Sequence, residues 1–519
     1  MRNKMQQRSN NGGVVAAGHQ ETALAADLIL REGGNAFDAA VAAMLAACVA
    51  EPVLASPGGG GFLTAKPHLA PPVVYDFFTQ TPIRKQPTSD IDFYPIEADF
   101  GSASQTFHIG MGSIATPGFI RGIFTIHREL CRLPLRVLFE PAIALARDGV
   151  IINSFQHLIA RIVSPILTST PAALALNQSP SGNGKLIQEG EYQRQPELAD
   201  FLDNLHLEGE DLFYRGEAGK SLIDSCTRHG GHLRWNDLSG YQLIKREPLS
   251  FSYRRARLLT NPSPSLGGTL IAFALGLLER ESLESLQPGS FDHIHQLAKV
   301  ICLTQRLRNE NRHNLSQILL PEIREQAIQA LQNHWFCTRG TTQISIADRA
   351  GNLASMTLSN GEGSGYVISG TGIMLNNMLG EEDLNPHGFH QWPVNRRIAS
   401  MMAPTLVLLD DGDTIVTGSG GSNRIRSAIL QVISNLVDFH MSVEDAVSHP
   451  RIHYEDDLLS LEPEIDPGIL QALIDDFPNQ QVWHAKNLFF GGAHTVTANA
   501  RGILTGVGDT RRGGVAIIR

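Results

Sequence analysis

Apolar residues recur at helical spacing through the first two-thirds of the chain and alternate in strand fashion through the last third. "ETALAADLILREGG" has helical apolar spacing and stops at Gly33, a residue suited to the turn that ends a helix. "NAFDAAVAAMLAACVAEP" follows, with Asn35 as candidate N-cap and Asp38 three residues on. It is apolar nearly all round, which predicts a buried helix packed closely through its alanines. "SPGGGGFLTA" contains the run Gly58 to Gly61, but no Lys-Ser/Thr pair follows and a strand comes next. That pattern predicts a tight loop entering a strand, not a phosphate cradle. Helical spacing resumes in "PLRVLFEPAIALARDGV", "PELADFLDNL", "GKSLIDSCTRHGG" and "HIHQLAKVICLTQRLR". Residues 166–195, with "QSPSGNGK", read as an exposed loop. After Gly340 the period changes. "TTQISIADRAGNLASMTLS", "APTLVLLDDGDTIVTGSGG" and "HTVTANARGILTGVG" read as hairpins with glycine-containing turns. One helix, "SNRIRSAILQVISNLVDF", starts directly after "GSGG", and "SVEDAVSHP" adds a capped helix stopped by Pro450.

The chain has 519 residues, enough for several domains or one large sandwich, and neither a repeat nor a low-complexity linker divides it. Hydrophobic content of 42% with 18% charged residues describes a globular protein with ample core. A formal charge of −10, without a long Lys/Arg run, argues against a nucleic-acid partner and favours small-molecule chemistry. Cys48, Cys131, Cys226, Cys302 and Cys337 are scattered, with no CxxC pair, which predicts free thiols, not a disulfide framework or a zinc site. His293 and His295 stand two apart on a helical pattern and so face different ways, which disfavours a metal site there. No apolar run of seven or more follows the basic residues at the start, and the stretch Phe37 to Ala50 is too short to span a bilayer. A cytoplasmic protein without a membrane partner is expected.

Gly340-Thr341-Thr342 opens the first of the C-terminal hairpins. Threonine is β-branched and common in strands, so the pair has an ordinary reading. The other reading is a chain cut before Thr341. An N-terminal threonine can act as a nucleophile because its own α-amine, with a pKa of roughly 8, is the base. Such chemistry needs donors for a tetrahedral oxyanion. Gly420 and Gly421, placed just before the helix in "VTGSGGSNRIRSAIL", could supply backbone amides, or could form a plain strand-to-helix turn.

From about Gly13 to Ile517 the sequence resembles the γ-glutamyltranspeptidase (glutathione hydrolase) family of N-terminal-nucleophile hydrolases. The segments that carry the resemblance are "AADLILREGGNAFDAAVAAMLAACVAEPVLASPGGGGFL", "SIATPGFIRGI", "LFEPAIALARDGV", "LFYRGEAGKSL", "GGHLRWNDLSGYQLIKREPLSFSYR" and "NPSPSLGG". The "GTT…D..GN" segment, "GIMLNNM", "APTLVLLDDG" and "TGSGGSNRI" follow in the same order. The resemblance implies an α+β fold, the four-layer αββα sandwich of that class. It also implies self-cleavage at Gly340–Thr341 into a large subunit, 1–340, and a small subunit, 341–519, intertwined as one domain. Thr341 matches the nucleophile, Thr342 the second threonine of the motif, and Ser359 a family threonine whose hydroxyl supports the nucleophile. Gly420 and Gly421 match the oxyanion-hole glycines, although "GSGGSN" replaces the family's "GSPGGS". The implied reaction is acyl transfer from a small-molecule amide, such as glutathione or another γ-glutamyl compound, to water or an amine, without metal or organic cofactor. A homo-oligomer of the processed unit is compatible with it.

The donor pocket departs from the family pattern. Phe78, in "YDFFTQTP", stands where the family has an arginine for the α-carboxylate, and "RIASMM" keeps Ser400 but has Met401 for the second of two serines. In "NNMLGEED" Met378 replaces a polar group and Glu381 is the surviving acid, while Asn360 stands in for a family asparagine. Phenylalanine cannot mimic a bidentate guanidinium contact. Either Arg84 or another arginine rescues the carboxylate, or the acyl group is another one, such as oxamyl or glutaryl. An uncleaved, non-catalytic binding protein is disfavoured by retention of Thr341, Ser359 and the double glycine.

Overall fold

The structure, a computed structural model, describes residues 12–99, 104–182, 184–310, 340–385 and 387–519. Strand alternation builds it around two antiparallel sheets. The first runs Val515–Ile518, Gly13–Ala17, Thr342–Asp348, Leu353–Ser359, Gly60–Lys66, Val73–Asp76 and Ile244–Arg246. The second runs Leu504–Val507, Thr495–Ala498, Thr414–Thr417, Thr405–Leu409, Ala256–Thr260 and Leu249–Tyr253. Successive side chains point to opposite faces, and the packing follows that period. Val14, Ala16, Ala347 and Leu353 of the first sheet meet Leu259, Leu406, Val416 and Val496 of the second in one buried cluster. Val15, Ala17, Ile344, Ile346, Met356 and Leu358 face the opposite way, onto the helices Gln20–Arg31 and Ala36–Ala50. Leu258, Val407 and Ile415 turn to the outer helices Gly267–Leu278, Phe291–Glu310 and Arg424–Val437. Helix, sheet, sheet, helix is the expected four-layer α+β arrangement.

The three C-terminal hairpins form as the alternation predicts, Thr342–Asp348 pairing with Leu353–Ser359, Thr405–Leu409 with Thr414–Thr417, and Thr495–Ala498 with Leu504–Val507. The helix Ala36–Ala50 is buried along its whole length and opens with the capping box of Asn35 and Asp38. Gly33 follows the preceding helix with φ +93°. Gly58 to Gly61 form the tight entry to Gly60–Lys66, where a Cβ on Gly61 would come within 2.5 Å of the Thr357 carbonyl oxygen. Residues 166–195 are less loop-like than expected, since they include the helix Pro171–Asn177 and the short strand Tyr192–Gln193. Thr170 caps that helix and Gln193 is buried against it, while Pro171, Ala172 and Tyr192 stay exposed. Cys48, Cys131, Cys226 and Cys302 are free, and Cys337 lies outside the described residues. His293 accepts from the Gly289 amide at 2.9 Å, while His295 meets Asp476 on another face of the helix. Among the described residues no helix is long and apolar enough to cross a membrane.

Candidate active site

The two threonines that open the strand answer to its two faces. Thr341 lies on the face between the sheets, and Thr342 points at the helical layer, where its Oγ1 donates to Glu51 Oε2 at 2.7 Å. Glu51 caps the C-terminal end of the helix Ala36–Ala50 and also accepts from Thr22 Oγ1 at 2.8 Å. Burial pushes its carboxyl up from 4.5 to about 7, against the opposing pull of the Thr342 and Thr22 hydroxyls.

Thr341 Oγ1 donates to the carbonyl oxygen of Gly340 at 2.8 Å, and Ser359 Oγ donates to the same oxygen at 2.9 Å. The carbonyl of the Gly340–Thr341 peptide bond thus receives two hydroxyl donors, one from the residue that follows it. Ser359 is held in turn by the Gly361 amide at 3.1 Å, and the Gly340 amide donates to Glu362 Oε1 at 2.8 Å. Asn377 Oδ1 accepts from the Glu362 amide at 3.0 Å, and Asn376 ties this loop to Gly58 and Ala115. The two asparagines of "GIMLNNM" are therefore braces for the site's floor. Gly420 packs on the backbone of Thr341, so closely that an added Cβ would run into the Thr341 carbonyl oxygen. Gly421 holds φ +120°, a conformation that favours glycine, immediately before the turn into the helix Arg424–Val437. Buried Arg512 reaches the Thr341 carbonyl at 3.4 Å, and burial lowers its own pKa to about 10.

Thr341, Ser359, Glu381 and Ser400 line one pocket together with Phe78 and Met401. Met378 and Ile425 extend its apolar wall, and Asp383 and Ser422 join it from loops distant in sequence, with Ser422 Oγ donating to Asp383 Oδ2 at 3.0 Å. Arg84 is not brought there. It is exposed, on a segment pinned outward by the Ile83 amide bonding Asp237 Oδ1 at 2.6 Å. Asn360 is buried behind the wall, 3.4 Å from the Met374 carbonyl, and does not line the pocket. Among the described residues no lysine or arginine lines it. Arg397 comes near but is committed to Asp76, at 3.3 Å, and to the Phe78 carbonyl and the Tyr241 hydroxyl. Asp383, Ser422, Glu362 and Arg512 carry no local signal in the sequence. Glu51 does carry one, as a lone acid closing an apolar run.

Glu51 gives a pH test. Between about pH 4.5 and 7 the folded protein keeps a proton there that the unfolded chain has lost, so its contribution to stability grows as pH falls through that window. Thermal unfolding of the wild type against Glu51→Gln should show the wild type gaining up to roughly 3 kcal/mol on the variant from pH 7 to pH 4.5. A pH-independent difference would contradict the assignment.

The family model described as gamma-glutamyltranspeptidase matches residues 22–518. The chain is 29% identical over 537 residues to "Acylase ACY 1 proenzyme" of Pseudomonas sp. (strain SE83), covering 98% of this chain and 94% of that protein. It is 27% identical over 546 residues to "Glutathione hydrolase proenzyme" of Escherichia coli (strain K12), covering 97% and 91%. Among solved structures, cephalosporin acylase from Bacillus halodurans superposes with a TM-score of 0.85 at 23% identity, over 98% of this chain and 96% of that one. Taken with the four layers and the threonine at the head of the central strand, these matches mean that the chain belongs to the γ-glutamyltranspeptidase family, the amidohydrolases of the N-terminal-nucleophile class.

Proposed function

We propose that the chain cuts itself between Gly340 and Thr341 and then hydrolyses small-molecule amides through an acyl-enzyme on Thr341, with an acyl donor other than the ordinary γ-glutamyl group. The observation that supports self-cleavage is the pair of hydroxyls on the Gly340 carbonyl, at 2.8 and 2.9 Å. Attack by Thr341 Oγ1 on that carbonyl carbon forms an ester and transfers the hydroxyl proton to the departing amide nitrogen. Water then splits the ester, leaving a Gly340 carboxylate, the Thr341 hydroxyl and a free α-amine. In turnover the amine takes the hydroxyl proton as Thr341 attacks the substrate carbonyl, and returns it to the leaving amine. The backbone at Gly420 and Gly421 is the side from which oxyanion donors would come.

The acyl preference rests on the pocket wall. Phe78 and Met401 line it beside Thr341, and among the described residues no guanidinium does. An α-carboxylate buried there without a partner would cost several kcal/mol, about 3–5 on the scale of broken buried pairs. The γ-glutamyl reading, with glutathione as donor, has Glu381 and Ser400 in its favour, since both line the same pocket. Relatives named as acylase and as glutathione hydrolase stand at similar identity, 29% and 27%.

Intact mass of the purified protein should show two fragments of about two-thirds and one-third of 56.5 kDa, the smaller beginning at Thr341. A persistently uncut chain would overturn the proposal. On the cut protein, p-nitroanilides of γ-glutamate, glutarate and oxamate report the donor. Efficient release from the γ-glutamyl compound, at least as fast as from the others, would return the assignment to γ-glutamyl chemistry.

A further inference from the structure

Resting on the self-cleavage reading above, we propose that Glu362 is a positioning residue for the cut. Its side chain holds the amide of Gly340 and so fixes, through the two dihedrals of that residue, the carbonyl that Thr341 attacks. Glycine needs such a holder at this place. Without a Cβ, residue 340 has wide conformational freedom, and its carbonyl would be free to turn away from the attacking hydroxyl. A side chain of its own cannot supply the restraint, because a Cβ on Gly340 would stand 2.7 Å from the Gly361 carbonyl oxygen. The restraint comes from outside, and at both ends of the residue. On the carbonyl side Thr341 Oγ1 and Ser359 Oγ donate to the oxygen at 2.8 and 2.9 Å. On the other side the Gly340 N–H donates to Glu362 Oε1 at 2.8 Å.

One turn sets both holds. The Gly361 amide donates to Ser359 Oγ at 3.1 Å, and the next residue, Glu362, takes the Gly340 amide. Gly361 bends the chain between them at φ +65°, in a space where a Cβ would collide with Asn377 and Glu381. The Glu362 amide is anchored to Asn377 Oδ1 at 3.0 Å, so its side chain starts from a fixed point. Glu362 is 3% exposed, and it lines a small cavity with Gly340, Val53, Leu54 and Ile162. In such apolar company a Gly340 N–H that lost its acceptor would have to turn to find another, carrying the carbonyl with it. The step so served balances within the chain and one water. Thr341 Oγ1 bonds to the Gly340 carbonyl carbon, the C–N bond breaks, the hydroxyl proton ends on the Thr341 nitrogen, and water splits the ester. Glu362 gives and takes no proton in it. The role asks only for an acceptor oxygen at this reach.

The test follows the full chain made by cell-free translation, stopped and sampled over time, and reads the rate at which the fragment beginning at Thr341 appears. Glu362→Gln keeps an acceptor oxygen at the same reach, and it should be cut within about threefold of the wild-type rate. Glu362→Ala removes the acceptor, and Glu362→Asp draws it back by one methylene. Both should be cut at least about tenfold more slowly. A side chain that merely filled space would not show this split, in which the uncharged variant is rescued and the shorter acid is not. An alanine variant cut at the wild-type rate would overturn the inference, and so would a glutamine variant as slow as alanine. If the alanine variant is insoluble, the aspartate and glutamine variants carry the comparison, and aspartate matching the wild type would overturn it. A wild-type chain that stays whole would overturn the self-cleavage reading itself, and this inference with it.

Discussion

Thr341→Ala should remain a single chain of 56.5 kDa and should hydrolyse no amide that the wild type hydrolyses. Both losses come from one atom. The hydroxyl that lies 2.8 Å from the Gly340 carbonyl oxygen is the group proposed to open that peptide bond. It is also the atom on which every later acyl group would be carried. Removing a nucleophile that acts as part of a unit typically costs about four orders of magnitude or more in turnover. Thr341→Ser keeps the hydroxyl and should still be cut, more slowly where the lost methyl loosens the rotamer. Mass spectrometry of both variants over days of incubation checks the first half, and amide release checks the second. Cleavage of the alanine variant at 340–341 would remove Thr341 from the role of nucleophile.

Gly420→Ala should come next in severity. Its Cβ would run into the carbonyl oxygen of Thr341 and stand 3.0 Å from the carbonyl carbon, and those are backbone atoms with little room to give. The next residue is already locked in register, Thr342 opposite Leu358, so the start of the strand cannot slide away. Arg512 closes the remaining side, 3.2 Å from the same added atom. The strain of overpacking such a site is about 1–3 kcal/mol. The larger effect is on chemistry, because the threonine and the proposed oxyanion donors would be displaced relative to each other. A loss of about 10²–10³ in turnover is expected, the scale of one missing oxyanion donor, together with slower appearance of the two fragments. Unchanged processing kinetics in this variant would mean that Gly420 does not press on Thr341.

Much of the scaffold was legible in the sequence because its signals are local. The Asn35–Asp38 box, the Gly33 stop, the hairpin periods and the buried alanine helix each depend on residues a few positions apart. The site was legible in part. Thr341, Ser359, Glu381 and Ser400 do share a pocket. Arg84 lies outside it, although it is only six residues beyond Phe78 along the chain. Six residues beyond Phe78 the backbone has left the strand, and Asp237 fixes it on the surface. Asp383 and Ser422, which bond each other at the pocket, come from two segments joined only by the fold. The double threonine looked redundant as letters. In the strand the two hydroxyls serve opposite layers, one facing the Gly340 carbonyl and the other a buried carboxylate.

The order of strands in the first sheet has a further result. Gly13–Ala17 lies between Val515–Ile518 and Thr342–Asp348, and Leu353–Ser359 lies between Thr342–Asp348 and Gly60–Lys66. Segments from before and after residue 340 are thus interleaved in one hydrogen-bonded ladder. A chain that is whole folds by closing loops on itself, a first-order event whose rate ignores dilution. Once cut, the same ladder has to be assembled from two molecules, and the high effective concentration conferred by the linking peptide is gone. The proposed cleavage would therefore trade reversibility for activity. The pieces hold each other while the sheet stands, but after denaturation they must find one another by diffusion, with unpaired strand edges open to the wrong partner.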